Sequence, residues 1–514
     1  MLRMTATTET PARPSRPSMN EHATLAAVDL GSNSFRLQVG RVVGNQIYEL
    51  DSLKETVRLA AGLDGKKNLT ETCQINALAV LKRFGERLRG FAPEAVRAVG
   101  TNTLRVAKNS AAFLAKAESA LGFPIEVIAG REEARLIYGG VAHGLPASLE
   151  QRLVVDIGGG STECIIGSGL TPIKTESLYI GCVSYSGRYF ADGHIDEERL
   201  ARAELAARAE VETISADFHE TGWKLTVGSS GTARAIGEML RINGWTEKGI
   251  TRGGLKKLRA ALLKAGEIRK LAIPGLAADR APIIFGGFAI MAAIFDELDL
   301  EEMALSDYAL RHGVLYDLLG RTHHHDMRET TVTAFMRRYQ VDRAQAARVE
   351  ATALDLYGQV ARDLPDAQEE HERQLLVWAA RLHEVGISIA YSGYHKHSAY
   401  VLQNADMPGF SRLDQAQLSL IVQCHRGSLA KAQALLARTT DTPLALAFRL
   451  AALLNRGRGG AELPSMRLTR KNNGFELAID KAWLKHHPLT EAALADETGQ
   501  WQSLAVDFHL KRTG

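Results

Sequence analysis

The chain has 514 residues, of which 45% are hydrophobic and 24% are charged, a length that predicts about three or four domains. Its 62 Lys and Arg residues nearly balance 59 Asp and Glu residues, for a formal net charge of +3, which argues against a dedicated nucleic-acid or membrane-surface protein. We therefore expect no nucleic-acid partner. No apolar stretch reaches the roughly 18 residues that span a membrane, so we expect no membrane span. The four cysteines are scattered, which favours a cytoplasmic protein with reduced thiols.

The chain opens with a polar segment and then changes to an α/β pattern. Residues 1–22 are rich in Thr, Ser, Pro and Arg without an apolar period, which predicts a disordered tail. Strands are predicted at 25–30 and 35–43, joined by a tight turn, with a third at about 47–57. The elements predicted next are a helix at 70–89, a strand at 96–99, a helix after Ser110, a strand at 125–128 and a helix from about Arg131.

The opening pattern returns further along the chain. Val28-Asp29-Leu30-Gly31 is matched by Val155-Asp156-Ile157-Gly158, an offset of 156 − 29 = 127 residues. At the same offset Ser34 matches Ser161 and Gly40 matches Gly167. In both copies the Asp ends an apolar strand, so the region from 24 to about 318 is predicted to contain two homologous α/β halves.

The remaining pattern completes the predicted architecture. The second half continues with a strand at 224–227, a turn at 228–232, a helix from Ala233, a helix at 282–298, a strand at 303–305 and a helix at 309–319. After His323 the periodicity is helical, and the last segment alternates like strands. The predicted domains are a tail at 1–22, α/β units at 23–140 and 141–318, a helical unit at 323–457, and a small α+β module at 465–514.

The two repeated turns carry the first chemical signal. A carboxylate at a strand end, such as Asp29 or Asp156, can hold a metal ion or its waters, and glycine-turn amides can approach phosphate closely. A plain hairpin explains either copy alone about as well. The duplication favours two loops that clamp phosphate across a cleft. The second loop runs through Gly158, Gly159, Gly160, Ser161 and Thr162, with Glu163 just beyond.

Other polar segments have weaker signals. Gly228, Ser229, Ser230 and Gly231 precede a helix, where amides favour anions, although a plain turn is an equal explanation. Arg105 suits bidentate phosphate contact, but a surface arginine is the commoner outcome.

Acidic residues in a helix's first turn usually just complement the helix dipole, and this account fits Glu132 well. In a phosphate cleft, the neighbouring Glu133 can instead orient and deprotonate water. No P-loop sequence is present, and His323-His324-His325 predicts a solvated junction more than a metal site.

The chain resembles the exopolyphosphatase/guanosine pentaphosphate phosphatase family over essentially everything after the tail. The motifs that carry the resemblance, in order, lie at 27–35, 100–105, 132–137, 155–163, 228–232, 305–311, 382–386 and 397–404. The resemblance implies the acetate/sugar kinase–Hsc70–actin superfold, with two ribonuclease-H-like domains around a cleft, an all-α HD-like domain and a small C-terminal module.

The resemblance also implies roles for single residues. Glu133 would be the catalytic base for water, and Mg²⁺ (or Mn²⁺) would be held by Asp156 and Glu163, with Asp29 as a further predicted ligand. The predicted phosphate-binding residues are Ser32, Asn33, Ser34, Arg105, Gly158, Gly159, Gly160, Ser161, Thr162, Gly228, Ser229, Ser230 and Gly231. A monovalent cation such as K⁺ and a homodimer also fit the family.

The helical region departs from the HD phosphohydrolase pattern that it resembles. Glu384 follows His383 where HD enzymes have Asp, and the upstream ligand histidine is not evident in 343–356. A scaffold for a long polyanion is therefore a better interpretation than a second metal site. Basic segments at 321–325, 337–338 and 449–458 are candidates for a polyanion track, and solvated helix faces explain each equally well.

The leading functional prediction is hydrolysis of terminal phosphate from inorganic polyphosphate. The nearest alternative is removal of the 5′ terminal phosphate of guanosine pentaphosphate to leave the tetraphosphate. A catalytically weak sensor of polyphosphate or the alarmone is the alternative from another class. The carboxylates Glu133, Asp156 and Glu163 argue against it, because a binder of polyanions gains nothing from three acids in its cleft.

Overall fold

The computed structural model describes residues 24–44, 46–146, 148–322, 326–361, 366–429, 442–460 and 462–514. The predicted tail at 1–22 and the His323-His324-His325 run lie outside the described residues. Within them the chain forms an α/β region with two sheets, then a helical region, then a third, small sheet. The predicted fold class is thereby confirmed.

The first sheet is formed by the N-terminal strands. These are β1 (Thr24–Leu30), β2 (Ser34–Val43), β3 (Gln46–Thr56), β4 (Val96–Gly100) and β5 (Ile125–Val127). The strand order is β3-β2-β1-β4-β5, with β1 to β3 antiparallel and β4 and β5 parallel to β1. One face is covered by helices α1 (Glu71–Arg87), α2 (Asn102–Val106) and α3 (Ser110–Leu121).

The second sheet repeats this plan. Its strands are β6 (Gln151–Ile157), β7 (Thr162–Ser168), β8 (Thr171–Leu178), β9 (Leu225–Ser229), β10 (Ile250–Thr251) and β11 (Glu302–Leu305). The order β8-β7-β6-β9-β11, with β10 added at the edge, reproduces the order of the first sheet. The strands β6 to β8 are antiparallel, and β9 and β11 run parallel to β6. The duplication seen in the sequence therefore has the same topology in both halves.

Helices surround these two sheets. They are α4 (Gly130–His143), α5 (Cys182–Tyr189), α6 (Glu197–Thr221), α7 (Ser230–Ile242), α8 (Arg252–Ala265), α9 (Ile284–Glu297) and α10 (Leu310–Thr322). The predicted turn at 228–232 is wrong, because β9 continues to Ser229 and α7 begins at Ser230. The backbone makes the change from strand to helix at Ser230 itself, whose φ is 66°.

Helices α4 and α10 cross in very close contact because glycines face each other. A Cβ atom on Gly313 would overlap the carbonyl oxygen of Leu136, and one on Gly140 would lie 2.6 Å from the Gly313 nitrogen. Both neighbours are backbone atoms, which cannot rotate away as side chains do. The two helices pack between the sheets in a core that contains residues of both α/β halves.

We expect Gly313→Ala to lower the free energy of unfolding by about 1–3 kcal/mol or more, because overpacking against backbone forces the helices apart. The measurement is a urea or thermal unfolding midpoint. Gly139→Ala is the matched control: it lies on α4 with open space around its Cβ position, so it is expected to stabilise by up to about 1 kcal/mol. Equal effects of the two substitutions would contradict the packing argument.

The C-terminal part packs as a second body. Its helices are α11 (Met327–Arg338), α12 (Arg343–Val360), α13 (Asp366–Leu382), α14 (Tyr394–Asn404), α15 (Arg412–Cys424), α16 (Thr442–Leu454), α17 (Lys481–His486) and α18 (Pro488–Gln502). The third sheet has strands β12 (Met466–Lys471), β13 (Gly474–Asp480) and β14 (Asp507–Thr513). One apolar core containing Trp378 and Trp501 joins the helices to this sheet.

Two further features bear on the sequence predictions. Cys73, Cys164, Cys182 and Cys424 are buried thiols. Among the described helices, none is long and apolar enough to cross a membrane.

Candidate active site

The equivalent ends of the two sheets meet at one cleft. Asp29 and Asp156 are the penultimate residues of β1 and β6. Asp29 lies opposite Arg36 on β2, and Asp156 lies opposite Glu163 on β7. Both aspartates line a cleft of about 710 Å³, which includes its part open to solvent. The duplicated fold thus places two carboxylates at the same point from opposite halves.

The turns after these aspartates lie against each other, and in both the first glycine is close to the carbonyl oxygen three residues on: a Cβ atom would lie 2.9 Å from Ser34 O at Gly31 and 3.0 Å from Ser161 O at Gly158. In the second turn the Gly158 amide donates to the carbonyl of Ser161 at 2.9 Å. A Cβ atom on Gly159 would lie 2.9 Å from the Asn33 nitrogen, so only glycine allows the loops to meet this closely. The start of α5 fixes the second loop, because the amide of Cys182 donates to the Gly158 carbonyl and that of Val183 to the Gly159 carbonyl.

The first turn of α4 provides the third wall. Glu133 is buried there, and its carboxylate accepts a hydrogen bond of 2.7 Å from Arg105 Nη1. The same guanidinium nitrogen donates to the Ile128 carbonyl at 2.9 Å, which fixes it beside the helix start. Glu133 therefore faces the loops, and its ion pair with Arg105 fixes the orientation of its carboxylate.

Four arginines complete the lining, where they outnumber its three carboxylates by one. They are Arg36, Arg234, Arg280 and Arg311. Burial, with repulsion from Arg311, lowers the pKa of Arg36 to about 10. Burial, with the neighbouring Arg311, also lowers the pKa of His312 to about 3. Such a field attracts polyanions and strengthens their contacts.

The carboxylates in and beside the cleft lie close enough to repel one another. Burial, with the nearby Glu133 and Asp156, raises the pKa of Asp29 to about 7. Burial and the same two acids raise the pKa of Glu163 well above its ordinary value. Burial also raises the pKa of Asp156, and of Glu133 even though Arg105 acts against it. Perturbed acids clustered in a cleft are a common feature of functional sites.

Asp29 and Asp156, both in the lining, offer carboxylate oxygens to a hard divalent cation, although no group of three or more His, Cys, Asp and Glu residues among those described is arranged to hold one. Among the described residues, buried Asp29 Oδ1, both amide atoms of Asn33 and Asn102 Nδ2 have no hydrogen-bond partner. Carboxylate oxygens are the ligands that Mg²⁺ prefers, and a cation would relieve the repulsion among Asp29, Asp156 and Glu163. The unpaired amide groups suit a phosphate oxygen or a bound water.

The structure brings most of the predicted site residues to the cleft. Those that line it are Asp29, Ser32, Asn33, Ser34, Glu133, Asp156, Gly158, Gly159, Ser161, Ser230 and Gly231. Arg105 and Glu163 lie just behind, where Arg105 holds Glu133 and Glu163 accepts from Ser177 at 2.8 Å.

The other predicted phosphate-binding residues lie away from the lining. The Thr162 hydroxyl donates to the Ile180 carbonyl, and the Ser229 hydroxyl donates to that of Tyr308. A Cβ on Gly228 would press on Met303, and one on Gly160 would lie 2.6 Å from Asn102 Oδ1. Phosphate binding by these four residues stays a prediction.

The arginines were missed by sequence reasoning, although one had a usable signal. Arg36 stands at the position equivalent to Glu163, since 163 − 36 = 127. The first half of the duplicated fold thus has a basic residue where the second half has an acid, and this exchange beside Asp29 indicates that Arg36 belongs to the site. Arg234 and Arg280 lie outside the repeated motifs, and Arg311 only becomes informative when α10 is placed beside β2, where it donates to Gln38 at 3.1 Å.

The histidines of the helical region form a separate cluster. His383 and His425 are buried, and each Nδ1 lies within hydrogen-bond distance of a backbone carbonyl. Glu384 is ion-paired with Arg458. Within the described part of the chain, no group of three or more potential ligands is arranged to hold a metal ion.

The chain was compared with known families and solved structures. The Ppx/GppA phosphatase family model matches residues 38–322, and the model of Ppx/GppA phosphatase domain III matches residues 327–498. An exopolyphosphatase from Cytophaga hutchinsonii is 26% identical with a TM-score of 0.54, covering 58% of this chain and 98% of that one. The Ppx/GppA family member from Aquifex aeolicus is 26% identical with a TM-score of 0.50, covering 59% and 99%.

The family match, together with the likeness to an exopolyphosphatase, places the chain among the hydrolases that act on phosphoanhydride bonds. The chain belongs to the Ppx/GppA phosphatase family.

Proposed function

We propose that this protein is an exopolyphosphatase, which removes terminal phosphate from inorganic polyphosphate by means of water activated by Glu133. The observation that carries the proposal is the composition of the cleft: four guanidinium groups and two glycine loops surround one buried glutamate. Guanidinium groups match phosphate oxygens, and the amides of the glycine loops can donate hydrogen bonds to those oxygens without side-chain obstruction.

The lining also supports the choice of polyphosphate over a guanine nucleotide. No aromatic side chain is among the described residues that line the cleft, so a purine base would have no ring to stack on there. A chain of phosphates needs only repeated positive charge. The Cytophaga protein, 26% identical, is itself called an exopolyphosphatase.

The reaction follows from positions and charges. The terminal phosphoryl group would lie against the amides of the two loops and the guanidinium groups, which stabilise charge on its oxygens. Glu133 would orient a water molecule in line and accept its proton as the new P–O bond forms. The bridging P–O bond breaks, and the shortened polyphosphate leaves with the electron pair. Phosphoryl transfer depends mainly on such positioning and charge stabilisation.

Asp156, Glu163 and Asp29 are the residues that would hold Mg²⁺ or Mn²⁺. When bound, the ion supplies neutralisation of phosphoryl oxygens. The homodimer and a bound K⁺ stay predictions from the resemblance, and the cytoplasmic location stays a prediction from the composition.

The test is phosphate release measured in parallel on long-chain polyphosphate, guanosine pentaphosphate and ATP, each with and without Mg²⁺. We expect polyphosphate to be hydrolysed with the highest kcat/KM. A preference for the pentaphosphate would keep the mechanism and assign the sister activity. Tight binding without release from any of the three would contradict the proposal and indicate a sensor.

A further inference from the structure

Glu132, the neighbour of the proposed base, is used differently from Glu133. Successive residues of an α-helix point about 100° apart, so the two carboxylates diverge. Glu132 is buried and accepts two hydrogen bonds from Arg135, both at 2.8 Å. Its Oε2 also accepts a hydrogen bond of 3.0 Å from the amide of Gly409.

Gly409 belongs to the helical region, so this bond crosses between the two parts of the chain. It lies in the segment 405–411 between α14 and α15, which we call the docking loop. Arg321 on α10 donates to the Gly409 carbonyl at 3.1 Å, and Arg131 pairs with Asp406 at 2.7 Å. Both backbone groups of Gly409 are therefore held by residues of the α/β region.

The position accepts only glycine. Its φ is +89°, and a Cβ atom would lie 2.9 Å from the nitrogen of Arg328. Thr331 fixes the loop further by donating to the Pro408 carbonyl at 2.7 Å, and the Phe410 ring packs edge-on against Trp378. The docking loop is thus a rigid part of the helical core.

A buried charge network holds the other side of Glu132. Arg135 pairs with Asp317 on α10, which also accepts from Arg97 at 2.7 Å and Arg321 at 3.0 Å. Arg97 in turn pairs with Glu126 at 2.9 Å. The network contains three arginines and three acids, so its positive and negative charges are equal in number.

We propose that Glu132 is a positioning residue, and that the helical region, through the Gly409 amide, fixes the first turn of α4 and with it the Glu133 carboxylate. The inference rests on the proposed function of Glu133 as base. Turnover in the cleft would then depend on docking of the helical region, while substrate binding by the loops and arginines would not. A displacement of the base by about 1 Å can cost about 100-fold in rate.

The test compares Glu132→Gln and Gly409→Ala in the full-length chain. We expect each to lower kcat on long-chain polyphosphate by about 10- to 100-fold with KM changed less than about twofold. Because both act through one contact, the double variant should lose little more than the stronger single variant. Melting temperatures confirm that each variant is folded, and Gly409→Ala carries the test alone if Glu132→Gln does not fold.

Two control variants reproduce the local changes away from α4. Glu497→Gln removes a buried carboxylate that accepts two bonds from Arg449, at 2.6 and 2.8 Å. Gly393→Ala places a side chain at a φ of +69° with no atom nearby. Both are expected to lose stability and keep kcat per folded molecule.

Unchanged kcat in Glu132→Gln and Gly409→Ala, or equal losses in the controls, would overturn the inference. If the wild type does not hydrolyse polyphosphate, the proposed substrate fails, and the same comparison is made on whichever substrate it releases phosphate from. The two failures are therefore distinguishable.

Discussion

Glu133→Gln is expected to lower kcat by about 10²- to 10⁴-fold, the usual contribution of a general base, while polyphosphate still binds. The amide oxygen of Gln can accept the hydrogen bond that Arg105 donates at 2.7 Å, so the wall of the cleft keeps its shape. What is lost is a carboxylate able to take the proton from water. Phosphate release and binding of labelled polyphosphate, measured on the same preparation, separate the two steps.

Glu204→Gln is the control for this substitution. Glu204 is also a partly buried glutamate paired with an arginine, Arg259, and burial raises its pKa, but it lies on α6 outside the cleft. We expect its variant to keep normal turnover. Turnover of Glu133→Gln within about tenfold of wild type would show that another group accepts the proton.

The architecture was predictable because the fold is duplicated. Asp29 and Asp156 lie near the ends of apolar strands 127 residues apart, and the strand-turn-strand pattern repeated around them indicated two halves whose loops face each other across a cleft. The short elements were harder. Helix α7 begins directly after β9 because Ser230 adopts a left-handed conformation, and no composition signal marks a non-glycine residue for that.

The candidate site was predictable where a carboxylate and the glycines that follow it lie in one short segment. The loops at Gly31 and Gly158 are such segments, and both line the cleft. Arginines that distant helices bring to the cleft could not be predicted in this way. In the sequence, an arginine of a helix looks the same whether its side chain faces solvent or substrate. Arg449 illustrates the converse: it was a candidate for a polyanion track, but it is buried and paired with Glu497.

Asp156→Asn is expected to lower kcat by about 100-fold or more, and yet to raise the melting temperature of the metal-free protein. A carboxyl whose pKa is raised by folding binds its proton more tightly in the folded state, so it makes stability fall as pH rises from about 4 towards its folded pKa. For Asp29 this pKa is about 7, and Asp156 contributes to the repulsion. Asn at position 156 removes one of the charges that raise the pKa values of Asp29 and Glu163.

The loss of activity has a separate cause, since the variant would lack a ligand for the ion that neutralises phosphoryl oxygens, an effect of several kcal/mol in the transition state. Mg²⁺ should therefore raise the melting temperature of the wild type at pH 8 and have little effect on Asp156→Asn. Asp317→Asn is the control in which the melting temperature should change in the opposite direction. Arg135, Arg97 and Arg321 outweigh the effect of burial and hold the pKa of Asp317 far below its ordinary value. Loss of this carboxylate should therefore lower the melting temperature. Retained Mg²⁺ stabilisation in Asp156→Asn would contradict the place of Asp156 in the metal site. A melting temperature below that of the metal-free wild type would instead contradict the repulsion among the acids of the cleft.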